Sequence, residues 1–184
     1  IGQVLSEHPQ DPTGPFLKGR LLLSRQKGKE ALEQFKEVTE KNPSYPGVQT
    51  QIGFATLLLG ETQHALGAFL EAIRLQPGDL LARRALAAMY LRSRSYDLAR
   101  QEAEAALKIF PYDIPSHLVV GDAAVATQNL KEAMETYTKI ITFAPNTAPV
   151  YLRMGMIHRL QKQDEEALAL FEKTLSMNPA EDNA

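Results

Sequence analysis

The chain of 184 residues contains neither cysteine nor tryptophan. Without cysteine there are no disulfides and no thiolate metal sites, although this does not separate a cytoplasmic protein from a periplasmic one. Charge of one sign is not in excess: 20 Lys and Arg stand against 22 Asp and Glu. A formal charge of −2 argues against a nucleic-acid partner held by bulk electrostatics. No apolar run approaches the roughly 18 residues of a membrane span, so no span is expected within this segment. No phosphate-cradling glycine loop, H-E-x-x-H string or G-x-S-x-G elbow occurs, and neither catalytic residues nor a cofactor is expected.

The remaining chemistry-bearing residues do not converge. His8, His64, His117 and His158 lack metal-ligand spacing, and no metal is expected. The string Ser24-Arg25-Gln26-Lys27 matches S-x-x-K of serine acyl enzymes, but its companion motifs are missing and it falls on a turn. Asp164, Glu165 and Glu166 open a helix, where negative charge suits the dipole.

What the chain does have is a ruler. Pro9, Pro43, Pro77, Pro111, Pro145 and Pro179 stand 34 residues apart without a slip. A fixed period of this length marks stacked copies of one small structural unit. The repeats run over 12–45, 46–79, 80–113, 114–147 and 148–181, and residues 1–11 read as the tail of a preceding one. The whole, 1–184, is a single array and is expected to be a piece of a longer protein.

Within each repeat the twentieth residue is alanine: Ala31, Ala65, Ala99, Ala133 and Ala167. The twenty-fourth is Phe35, Phe69, Ala103, Tyr137 and Phe171, and the eighth is Gly19, Gly53, Ala87, Gly121 and Gly155. Small residues at these places let two helices cross closely while one large ring fills the adjoining space. In the last repeat Met154, Ile157, Leu160 and then Ala167, Leu168, Phe171, Leu175 recur at helical spacing around a polar turn. The periodic proline ends the second helix. Helix starts are predicted at Asp11-Pro12 and Tyr45-Pro46, with Asp79 and Asp113 as N-caps. Pro15, alone in having no partner 34 residues away, falls in the opening helix of the first repeat.

These positions resemble the tetratricopeptide repeat family over essentially the whole chain. Departures stand at the family's tryptophan position (Pro15, Gln49, Arg83, His117, Tyr151) and its tyrosine position (Leu22, Thr56, Tyr90, Ala124, His158). The resemblance implies an all-α, right-handed superhelical solenoid of antiparallel helix pairs. It also implies a non-catalytic protein–protein interaction scaffold that takes a peptide or partner protein in its concave groove. His117 and His158 occupy family slots for packed aromatics.

The family's ligand-facing positions give a groove list: Phe16, Arg20, Thr50, Phe54, Arg84, Ala88, Arg92, Leu118, Asp122, Leu152 and Met156. Position 12 (Leu23, Leu57, Leu91, Val125) and the leucines of position 13, Leu58 and Leu160, are expected to pack against the neighbouring repeat. The first and third repeats are net positive (+3 and +2), so a peptide carrying acidic and apolar residues is favoured at Arg20, Arg84 and Arg92. Alternatively, Arg84 pairs with Asp122. Phe16 and Arg20 replace the lysine and asparagine of the clamp that holds chaperone C-terminal tails, which argues against that role.

The insertion-free repeats look most like bacterial arrays of envelope, exopolysaccharide-export or protein-sorting systems. Two other readings stand beside this: the recognition arm of a larger enzyme, and a self-assembling structural array. The sequence does not assign a compartment: cytoplasm and bacterial periplasm both stay open, with any targeting signal expected outside the segment.

Overall fold

The computed structural model describes residues 11–177. Pro9, Pro179 and residues 1–10 of the expected preceding repeat lie outside the described residues. Within the described residues the chain is ten helices and no strand. They are α1 (Thr13–Ser24), α2 (Gly28–Lys41), α3 (Val48–Leu58), α4 (Thr62–Leu75), α5 (Leu80–Arg92), α6 (Tyr96–Ile109), α7 (Ile114–Ala126), α8 (Leu130–Phe143), α9 (Ala148–Leu160) and α10 (Asp164–Met177). The all-α architecture of helix pairs expected from the sequence is the fold observed among the described residues. The described residues fall into two compact bodies that divide within α5, after Leu86.

Every turn inside a repeat is the same device. The fifteenth residue takes the left-handed conformation in all five: Gln26 (φ 61°), Gly60 (78°), Arg94 (62°), Gln128 (62°) and Lys162 (61°). The next residue's N–H reaches back five residues, as in Lys27 to Leu22 (3.0 Å), Ser95 to Tyr90 (2.9 Å) and Asn129 to Ala124 (2.8 Å). This double closure satisfies carbonyls orphaned at the helix end. Only the second repeat uses glycine there, which is why composition did not reveal the motif.

The turns between repeats work differently. Asn42, Gln76, Phe110 and Ala144 all leave the helical region, Asn42 and Phe110 into extended geometry, because the proline that follows disfavours helical geometry before it. Asp113 then caps α7, accepting from Ser116 N at 3.0 Å, and Asp79 accepts from Ala82 N at 3.0 Å. The start predicted at Tyr45-Pro46 is displaced: α3 begins at Val48, because Gly47 takes φ 75° and interrupts the helical path. Pro15 sits in the first turn of α1, where the backbone N–H has no intrahelical partner to lose.

In the first body, Ala31, Phe35, Val38, Val48 and Ala55 form a fully buried cluster. In the second, Ala124, Ala133, Tyr137, Ile140, Val150, Met154 and Ile157 do the same, beside a smaller cluster of Ala87, Ala99, Ala103, Val119 and Val120. The five alanines of position 20 are between 0 and 3% exposed. Gly19, Gly53, Gly121 and Gly155 each lie under the ring of Phe35, Phe69, Tyr137 and Phe171 respectively, with no room for a Cβ. Where the third repeat has Ala103 in place of the ring, it has Ala87 in place of the glycine, and both are fully buried.

Candidate functional site

The groove list separates into three groups. Thr50 is a correction: it is buried, and its hydroxyl donates to Asp79 Oδ2 at 2.5 Å, so it ties α3 to the next repeat's N-cap. Phe16, Phe54 and Leu118 are half-buried. Phe16 packs against Tyr45 (ring centroids 4.9 Å) and Phe35 (6.1 Å), and Phe54 stands edge-on to Phe69 at 5.2 Å. Leu118 lies against the core of the second body. Arg20, Ala88, Arg92, Leu152 and Met156 are exposed, and Arg84 is half-buried.

Three of these residues converge in the second body. Asp122, Leu152 and Met156 line a cavity of about 340 Å³ with Val125, Tyr137, Arg153, Ile157 and Leu160. Helix α9 supplies the wall, since Leu152, Met156 and Leu160 recur every four residues along one face. They are 38, 45 and 63% exposed, whereas Ile157, on the inward face, is 1% exposed. Leu160, expected to pack against a neighbouring repeat, is exposed among the described residues, in the last of the repeats. It is the last residue of α9, immediately before the turn.

The floor is polar and self-satisfied. Tyr137 donates to Asp122 Oδ1 at 2.6 Å, and Arg153 donates to both carboxylate oxygens, through Nε at 2.7 Å and Nη2 at 3.0 Å. Arg153 also donates to the Pro149 carbonyl at 3.1 Å. Burial, and then the Asp122 carboxylate beside it, pushes the Tyr137 phenol far above its usual range. The hydrogen bonds to Asp122 hold Arg153 firmly protonated against its partial burial. Asp122 is thus a bound structural acceptor at the base of the groove. The sequence pointed to Asp122, but it missed Arg153 at position 6 and the hydroxyl that separates Tyr137 from the phenylalanines of the same position.

Other expected residues fall into structural roles. His117 is half-buried, beside Phe143 (5.7 Å) and within 2.9 Å of the Pro111 carbonyl, and His158 contacts Gln163 Oε1 at 2.8 Å. Ser24 bonds the Leu21 carbonyl (2.8 Å) and Lys27 pairs with Glu30 (3.0 Å), so the S-x-x-K string spends its groups locally. No group of three metal-ligating side chains occurs among the described residues. None of the described helices is long and apolar enough to cross a membrane.

Models of the tetratricopeptide repeat match residues 57–114, 114–147 and 148–181. Among curated proteins, the human mitochondrial import receptor subunit TOM70 is 25% identical over 169 residues, covering 88% of this chain and 28% of the receptor. Anaphase-promoting complex subunit 6 of Arabidopsis thaliana is 25% identical over 183 residues, covering 95% of this chain and 33% of that protein. The chain therefore spans about a third of such relatives or less. Among solved structures, MamA from Desulfovibrio magneticus RS-1 superimposes with a TM-score of 0.83 at 23% identity, over 94% of this chain and 97% of that one. YrrB, described as a TPR protein with an unusual peptide-binding site, gives 0.78 at 17% identity, over 98% and 93%. Repeat matches covering most of the chain, on ten helices paired by one recurring turn, show that the chain belongs to the tetratricopeptide repeat family.

Proposed function

We propose that the chain is a non-catalytic protein–protein interaction scaffold, and that the groove of α7 and α9 takes an apolar segment of a partner protein. The observation that carries this reading is the row Leu152, Met156 and Leu160, solvent-exposed above a floor whose charges are already paired. A flexible methionine flanked by leucines suits an apolar anchor that varies in shape. With Asp122 and Arg153 neutralising one another, the groove offers a charged anchor little. The acidic preference read from Arg20, Arg84 and Arg92 therefore does not extend to this groove.

The test is affinity capture with wild type, a Leu152→Asp/Met156→Lys variant and a Lys131→Glu control on α8. Both substituted groove residues are exposed, so the variant is expected to fold. Loss of the same partner with the groove variant alone supports the reading; equal recovery by all three overturns it. The insertion-free repeats favour a bacterial envelope or export assembly as the setting, which the full reading frame and its neighbouring genes would test.

A further inference from the structure

A second surface, away from the groove, breaks the repeat pattern. Between α6 and α7 the chain reads Phe110-Pro111-Tyr112, with Phe110 47% and Tyr112 62% exposed. The corresponding residues of the other described repeats are Asn42, Gln76 and Ala144, and Ser44, Gly78 and Asn146. Polar or small residues are the ordinary occupants of such a turn. Here Tyr112 stands edge-on to both Phe110 (6.4 Å) and Phe143 (5.4 Å), and His117 adjoins Phe143, so four rings form one continuous cluster.

Two features indicate what would cover these rings. Lys108 is the penultimate residue of α6, at the end of the helix that leads into Phe110, and Lys139 lies one helical turn before Phe143 on the same face of α8. Both are exposed, and neither forms a salt bridge among the described residues. The Glu132 carboxylate that feels Lys139 is itself held by Arg100, with Nη2 to Oε2 at 2.9 Å. The Tyr112 hydroxyl likewise has no hydrogen-bond partner among the described residues, leaving it available to a peptide carbonyl.

We propose that this aromatic cluster is a second docking surface, and that its occupant is a partner-protein segment carrying an aromatic or proline anchor flanked by carboxylates. Rings receive the anchor, the tyrosine hydroxyl bonds its backbone, and Lys108 and Lys139 meet its acidic flanks. This surface is separate from the α7–α9 groove and does not depend on that groove binding anything.

The probe is a fluorescein-labelled octapeptide, Asp-Glu-Phe-Pro-Leu-Phe-Glu-Asp, titrated by anisotropy. Saturable binding below about 1 mM is expected. It should weaken at least about tenfold in Phe110→Ser/Tyr112→Ser and in Lys108→Glu/Lys139→Glu, and weaken with added salt. The charge-reversed pair touches only exposed side chains, so its loss of binding does not reflect unfolding. Absence of saturation, or binding unchanged in either variant, overturns the proposal. So does flotation of wild type with phosphatidylserine vesicles without peptide binding, which would assign the rings to a membrane surface instead.

Discussion

Gly53 lies so close under the ring of Phe69 that a Cβ on it would stand 2.5 Å from Phe69 Cε1. The glycine and the ring are one packing element divided between two helices. Gly53→Ala should therefore cost about 1–3 kcal/mol by overpacking, measured by urea unfolding. In a Phe69→Ala background the same substitution should cost almost nothing. The third repeat carries that compensated form naturally, as Ala87 with Ala103. Additive costs in the double variant would break the account of this pair.

The left-handed residues closing each helix pair give a second prediction. Gln128 at φ 62° carries a Cβ where glycine is easier. Gln128→Gly should raise stability by up to about 1 kcal/mol, the strain relieved exceeding the entropy added to the unfolded chain. Gly60→Ala at φ 78° should lower it by a similar amount, and thermal melts of the two variants should move in opposite directions.

Acid sensitivity should centre on Glu132. Arg100 grips its carboxylate in a two-pronged pair and holds its pKa below the usual carboxylate range. Because the folded-state pKa is lowered, the pair's contribution is fully present above the unfolded value of roughly 4.3 and is lost as pH falls through the folded one. Glu132→Gln should flatten the fall in stability below about pH 5 while leaving its slope near neutrality unchanged.

Alkaline sensitivity has the opposite origin. The Tyr137 phenol is raised, so the unfolded chain ionises first once pH exceeds roughly 10 and stability falls from there upward. Tyr137→Phe removes that fall and, by deleting the bond to Asp122, costs about 1 kcal/mol at neutral pH. Unfolding followed across pH 8–11 separates the two effects.

Much of the fold was legible because its determinants are local. The prolines, the alanines of position 20 and the glycine–ring pairs recur at fixed offsets, and each has a steric meaning independent of neighbours. The left-handed turns were not legible, since Gln26, Arg94, Gln128 and Lys162 are residues that composition does not associate with positive φ. The groove was legible in part. Leu152 and Met156, named by the family's ligand-facing positions, lie exposed, whereas Thr50, named by the same positions, is buried with its hydroxyl on Asp79. Arg153 escaped notice because its role depends on meeting Asp122 across 31 residues of sequence.

The central claim, that partner contact is made at the α7–α9 groove, is tested most directly by a photo-crosslinking residue placed at Met156 and, separately, at the exposed Asp97 near the start of α6. The account predicts that a protein partner captured by the wild-type scaffold becomes covalently linked from position 156 and not from position 97. Linkage from 97 alone, with Leu152→Asp leaving capture intact, would contradict it.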